Sequence, residues 1–174
     1  MENDKLSIRK IKESDIELIR KWRNQSEIKK YFINTENISE LEQQKWFENY
    51  LLKQDDIMFI VEEKVNFKTA IGTVALYNIN PNNNSVELGR LMIGSIPAQG
   101  KGLGKQATIL ACIYAFEVLK SSYIYLCVFR NNIKAIKLYK SIGFVETNND
   151  ATMIHMSLNK KMFNNFLLNR KLSN

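Results

Sequence analysis

Three glycines at alternate positions, Gly100-Lys-Gly102-Leu-Gly104, stand between an apolar, β-rich run and a long helical pattern. A strand that passes into a helix through such a turn leaves the first helical amides without internal partners. The aligned peptide dipoles add partial positive charge at the same point, so the turn is suited to hold an anion. Glycine lets the backbone approach a phosphate with no Cβ in the way. Lys101 and Lys105 add full charges, and residues 99–105 therefore predict a phosphate-bearing ligand.

Two common phosphate motifs fail. A P-loop needs G-x-x-x-x-G-K-[ST]. Here Gly104-Lys105 is followed by Gln106, and Gln99 stands five residues before Gly104. A dinucleotide fingerprint needs G-x-G-x-x-G and an acidic residue at the end of the next strand. The spacing here is G-x-G-x-G, and the next strand-like run, 123–129, ends in Val128-Phe129.

The rest of the chain reads as mixed α and β around one sheet, an α+β class. Its 174 residues suit one domain, 1–174, with one core. A short strand is expected over 6–11. Ser14 and Glu17 have the spacing of a capping box, which predicts a helix to about Trp22, and Ser39 with Glu42 predicts a second helix through about Leu52. Strands at 57–62, 69–78 and 85–93, the last two separated by Pro81-Asn-Asn-Asn84, form an antiparallel meander. Then come a helix over 102–120, a buried strand over 123–129 and a helix over 133–141 that ends at Gly143 in a left-handed cap. Strands near 144–147 and 153–158 and a basic tail helix over 160–171 close the chain. Cys112 and Cys127 sit in apolar runs and are expected to be buried thiols. With one histidine, His155, and no Cys-x-x-Cys, no metal site is expected.

Gln99, Gly102 and Gly104 match Q/R-x-x-G-x-G/A. A helix and a strand further on, Asn132-Ile-Lys-Ala135-Ile-Lys-Leu138-Tyr139-Lys-Ser-Ile-Gly143-Phe144 matches N-x-x-A-x-x-L-Y-x-x-x-G-F. In this order the two motifs resemble the GNAT acetyltransferase superfamily. The resemblance implies a central, twisted, mostly antiparallel sheet splayed at its fourth and fifth strands and flanked by helices. It implies acetyl-CoA as co-substrate and no metal. By the same resemblance the cofactor is held by Leu91, Met92 and Ile93, by the turn Gln99, Gly100, Lys101, Gly102, Leu103, Gly104 and Lys105, and by Asn132, Ala135 and Tyr139. One departure is Pro97, two residues before Gln99 where the family usually has proline three before. The approach loop is therefore expected to be longer or bulged.

Acetyl transfer to an amine needs a held donor, a neutral amine, stabilisation of the tetrahedral oxyanion and a proton for the departing thiolate. The resemblance assigns that proton to Tyr139, whose phenol is protonated at neutral pH. Backbone amides near Leu91 to Ile93 are expected to meet the oxyanion. Glu87, on the strand that leads to the turn, is the candidate for amine activation, directly or through water. Strict alternation would put Val86, Leu88 and Arg90 on one face and Glu87, Gly89 and Leu91 on the other.

The acceptor is expected among the N-terminal helices, at Trp22, Arg23, Asn24, Tyr31, Phe32 and Trp46. This Trp-Arg-Asn followed by an aromatic pair looks like enzymes that acetylate the 4-amino group of UDP-linked sugars, and like ribosomal-protein N-terminal acetyltransferases. A nucleotide sugar is the preferred small-molecule partner because Arg23 and the aromatics suit a diphosphate and a uracil ring. Glu36, Glu40 and Glu42 keep a basic peptide N-terminus open, and a CoA-binding regulator without turnover is a further alternative. The net charge of +7 is spread along the chain, so neither a nucleic-acid nor a membrane partner is expected. The apolar runs are too short for a membrane span, and the opening residues lack a signal-peptide core, so a cytoplasmic location is expected. A homodimer is allowed by resemblance alone.

Overall fold

Apolar residues that recur at alternate positions lay one buried row along most strands, and at the sheet centre they cover both faces. Phe59, Ile60, Val61, Val74, Ala75 and Leu76 are all 2% exposed or less, so helices must pack on each side. The computed structural model describes residues 1–172. Its strands are β1 (Leu6–Lys10), β2 (Ile57–Glu63), β3 (Thr69–Asn80), β4 (Ser85–Ile93), β5 (Tyr123–Phe129), β6 (Val145–Asn149) and β7 (Met153–Asn159). They form one sheet in the order β1-β2-β3-β4-β5-β7-β6, antiparallel except between β4 and β5. The helices are α1 (Ile16–Arg23), α2 (Ser26–Lys29), α3 (Glu40–Leu51), α4 (Leu103–Ile113), α5 (Ile133–Lys140) and α6 (Lys160–Leu172). The main core joins α4, α5 and α6 to one face of the sheet. A second core joins α1 and α3 to the other face through Ile19, Trp22, Phe47, Ile60 and Met92.

Two irregularities open the sheet where a ligand can enter. Parallel pairing of β4 with β5 covers only Ser85–Tyr123, Val86–Ile124 and Glu87–Tyr125; beyond them the strands part. Register between β3 and β4 also shifts between Thr73 and Ala75, opposite Arg90, which has φ +48°. One extra residue reverses which face each later side chain meets. Val86 and Leu88 share a face, as expected, and it is the one turned to the main core. After the bulge, Leu91 and Ile93 face that core and Met92 the second one. Arg90 leaves the Val86–Leu88 row and lies over the Tyr77 ring, 4.6 Å from its centre.

Several sequence expectations need correction. The second capping box forms as expected: Glu42 N–H donates to Ser39 Oγ (3.3 Å) and Ser39 N–H donates to Glu42 Oε2 (2.7 Å). The first does not. A 3₁₀ turn, Glu13–Asp15, precedes α1, and Asp15 rather than Ser14 holds this entry. Asp15 accepts from Lys12 N–H (2.7 Å) and from both terminal nitrogens of Arg9 (2.7 and 2.8 Å). The expected single helix over 102–120 changes pitch into a π turn, Tyr114–Val118, which keeps both Ala115 and Phe116 in the core. The approach to the glycine turn contains a 3₁₀ turn, Ile96–Ala98, around Pro97, and the short α2 was not anticipated. Cys112 is buried, but Cys127 is exposed. It points from β5 to the face that α1 and α3 leave uncovered, where its Sγ lies 3.1 Å from His155 Nδ1.

Arg9 draws the Asp15 carboxyl below its ordinary pKa, chiefly by hydrogen bonding and against the opposing effect of burial. A depressed folded-state value means the stabilisation is present above the unfolded pKa and lost as pH falls through the folded one. Asp15→Asn is therefore expected to cost about 1.5–3 kcal/mol at pH 7. The gap to wild type should narrow progressively below about pH 4. Urea unfolding of both proteins from pH 7 to pH 2.5 checks this, and a gap that stays constant with pH contradicts it.

Candidate active site

The glycine turn closes one end of a cleft of about 800 Å³. Gly100 and Gly102 adopt φ +73° and +74°, and a Cβ built on either would have nothing within 4 Å. The backbone here is thus both left-handed and open on the side where a ligand would lie. Gly102 caps α4, so the first amides of that helix face the opening. Gln99 Nε2 donates to Ile93 O (2.9 Å) and ties the turn to the end of β4. The cleft runs from Gln99, Gly100, Gly102, Leu103, Gly104 and Lys105 along Leu91, Met92 and Ile93 to Asn132 and Leu138. Along that path the β5-facing edge of β4 has no partner strand, which leaves backbone groups for the amides of an extended ligand. This fits coenzyme A, whose diphosphate suits the turn and whose pantetheine arm suits the free edge.

Three of the expected cofactor residues stand outside the wall of the cleft. Lys101 turns over the Phe67 ring, 5.9 Å from its centre. Ala135 donates its N–H to Asn132 Oδ1 (3.2 Å), the cap that starts α5. Tyr139 lies in the main core at 7% exposure, with its ring 5.6 Å from that of Phe144. Burial pushes its phenol pKa upward, so the proton is firmly held. Lys134 and Lys137, at variable positions of the second motif, add charge to the cleft that sequence reading did not assign to it.

On the other face a pocket of about 340 Å³ meets the cofactor cleft at Phe32 and Met92. Three of the acceptor candidates, Arg23, Phe32 and Trp46, line it, and Asn34, Glu36, Glu42, Thr73 and Arg90 join them. Arg23 stacks its guanidinium on Phe32, 3.7 Å from the ring centre. Its Nη2 donates to Asn34 O (3.2 Å), while Nη1 is buried with no hydrogen-bond partner among the described residues. Burial lowers the Arg23 pKa, yet arginine stays charged at working pH. Arg90 is bonded through both terminal nitrogens to Asp56 (2.7 and 2.9 Å). Strict alternation groups it with Val86 and Leu88, so periodicity alone does not bring it to the site.

The remaining acceptor candidates have other places. Trp22 is 5% exposed in the second core, against Gly94, where an added Cβ would fall within 2.0 Å of the indole. Asn24 bonds both the N–H and the C=O of Ile38, holding the loop ahead of α3 (2.8 and 2.9 Å). Tyr31 lines the cofactor cleft rather than the smaller pocket. Glu87 lines neither. It accepts from Tyr77 OH (3.0 Å) and Asn78 Nδ2 (2.8 Å). Burial, reinforced by this carboxylate, raises the Tyr77 phenol pKa. A polar cleft of about 780 Å³ beside the β3–β4 turn, lined by His155 and Tyr125, shares no residue with either pocket. Among the described residues no group of three or more His, Cys, Asp or Glu could hold a metal ion, and no helix is long and apolar enough to cross a membrane.

A donor anchored by its phosphates on one side of a parted sheet, with a second substrate reaching the parting from the other side, is the design of an acyl-CoA-dependent transferase. Comparison with known proteins narrows the class. Residues 5–145 match the acetyltransferase (GNAT) domain, and the chain belongs to that family. It is an N-acetyltransferase and takes its acetyl group from acetyl-CoA. The chain is 32% identical over 146 residues to spermidine N(1)-acetyltransferase of Vibrio cholerae, covering 83% of this chain and 81% of that protein. It is 30% identical over 144 residues to acetyltransferase PseH of Campylobacter jejuni, covering 83% and 85%. The crystal structure of the Vibrio cholerae spermidine N-acetyltransferase with CoA and spermine superposes with a TM-score of 0.81 at 27% identity, covering 92% of this chain and 99% of that one.

Proposed function

We propose that the chain acetylates the primary amine of a small acceptor that also carries an anionic group, with a nucleotide-linked amino sugar as the fitting class. One observation carries this reading: Arg23 lines the acceptor pocket as a cation that no carboxylate pairs with among the described residues, one of its nitrogens buried and unbonded. Such a nitrogen is costly until an oxygen reaches it, and a diphosphate or carboxylate meets a guanidinium in two parallel bonds. The ring of Phe32 under Arg23 and the indole of Trp46 give a flat base a surface to stack on.

Within this reading Tyr139 holds the proton for the leaving thiolate, and the free edge of β4 around 91–93 faces the developing oxyanion. Glu87 is a positioning residue: it fixes Tyr77, and Tyr77 carries Arg90 at the pocket wall. Holding donor and amine in contact supplies much of the acceleration.

A second reading has specific support. Glu36 and Glu42 also line the pocket, and the Vibrio cholerae relative is named for spermidine. A polyamine would meet those carboxylates, but it would also bring positive charge against Arg23. Thiol release from acetyl-CoA, measured with nucleotide-linked amino sugars, spermidine, spermine and N-terminal peptides, separates the readings. Arg23→Ala is expected to raise KM for the anionic acceptor roughly 10- to 100-fold and to leave the KM for acetyl-CoA unchanged. Release with spermidine alone, or an Arg23→Ala enzyme with unaltered acceptor KM, overturns the proposal.

A further inference from the structure

The C-terminal helix α6 follows the matched family residues and builds a feature that the family comparison does not cover. Phe163 anchors it in the main core at 2% exposure, and Phe166 stacks beside Phe163 with ring centres 6.0 Å apart. Between α6 and α4 lies a groove of about 450 Å³ whose walls include Gly102, Lys105 and Gln106 on one side and Phe166 and Arg170 on the other. Gly102 and Lys105 also line the cofactor cleft, so the groove begins where the diphosphate cradle ends. Lys105 holds its ammonium 5.6 Å from the centre of the Phe166 ring. Neither Lys105 nor Arg170 is paired with a carboxylate among the described residues.

Coenzyme A does not stop at its diphosphate; an adenosine bearing a 3′-phosphate continues from it. With the diphosphate on the amides after Gly102 and the pantetheine arm along β4, that end must leave the cradle past α5 or past α6. The α5 side offers Lys134 and Lys137, but none of the α5 residues that line the cleft is aromatic. On the α6 side an aromatic ring shares one groove with two cations, the combination that a purine with an adjacent phosphate requires.

We infer that α6 forms the seat of the adenosine 3′-phosphate: Phe166 packs against the purine, and Arg170 with Lys105 holds the phosphate. The inference rests on the diphosphate lying at the glycine turn. Its test therefore uses ligands that keep that contact in every arm. Calorimetry with CoA and with 3′-dephospho-CoA is carried out on wild type, Arg170→Ala, Phe166→Leu and the double variant Lys134→Ala/Lys137→Ala. Wild type should bind CoA about 10-fold more tightly than 3′-dephospho-CoA. Arg170→Ala should abolish that preference and leave the affinity for 3′-dephospho-CoA unchanged. Phe166→Leu should weaken both ligands alike, and the double variant should keep the preference. A wild type that does not distinguish the ligands, or a preference that survives Arg170→Ala and disappears in the α5 double variant, overturns the seat. If neither ligand binds wild type, the diphosphate assignment fails as well. Arg170 is exposed, so its replacement leaves the core intact, and a thermal melt confirms this.

Discussion

Gly102→Ala should lose CoA binding by roughly 100-fold or more while the protein remains folded. The two halves of this expectation come from different facts. Gly102 stands at φ +74°, where a Cβ is strained by about 1–2 kcal/mol. In a chain of this length that lowers Tm by only several degrees. No atom lies within 4 Å of the added methyl, so the fold resists the change through backbone strain alone and not through a clash. In the proposed binding mode the same open space admits the diphosphate, and a methyl there would hold the phosphate oxygens away from the first amides of α4. Each charge-assisted bond lost costs about 1.5–3 kcal/mol, and two of them account for the expected fall. Gly143→Ala is the control. It adds a Cβ at φ +108°, in ordinary contact with Leu158 and away from the cradle, and so imposes positive-φ backbone strain without the obstruction. Melting curves and calorimetry with CoA on both variants distinguish a damaged fold from a blocked cradle. A Gly102→Ala protein that binds CoA like wild type would remove the phosphate role from the turn.

How much of this was legible in the sequence depends on how local each signal is. The glycine turn and the Asn132–Phe144 motif each specify a short stretch of backbone, so their readings agree with the observed α4 start, the Asn132 cap and the left-handed Gly143. The limits of β4 and β5 were legible because polar turns bound them. The pocket proposed for the acceptor was only partly legible because it is assembled over distance. Arg90 reaches it through a β-bulge, and periodicity cannot reveal a bulge whose extra residue is not glycine. Trp22 and Arg23 are neighbours in sequence, yet the helical turn sends the indole into the core under Gly94 and the guanidinium into the pocket. Cys127 sits in an apolar run as a buried residue would. It is exposed because no helix covers its side of the β5–β7 half of the sheet, a fact of topology and not of composition. In each case the local pattern specified the element, and the tertiary arrangement decided which way the side chain was used.

Tyr139→Phe is the second large effect expected. The substitution removes one oxygen and keeps the ring that packs against Phe144, so stability should change by no more than about 1 kcal/mol. Its neighbour Leu138 lines the cofactor cleft and lies 3.6 Å from where a Cβ on Gly104 would be, which sets α5 against the cradle and brings Tyr139 close behind the cleft wall. If the phenol supplies the proton for the departing thiolate, turnover should fall about 10²–10⁴-fold, the usual worth of a positioned acid. CoA affinity should stay at the wild-type value, because the cradle and the free edge of β4 are untouched. The pH dependence supplies an independent check. Burial raises the Tyr139 pKa, so the group remains protonated throughout the alkaline range in which amines become nucleophilic. Wild-type kcat should therefore show no fall below pH 10 that Tyr139→Phe removes, and any alkaline limb should persist in the variant. Stopped-flow thiol release across pH 6–10, with calorimetry for CoA, tests both parts. Full turnover in Tyr139→Phe with intact CoA binding would leave Tyr139 as a packing residue and require the thiolate to take its proton from elsewhere in the cleft.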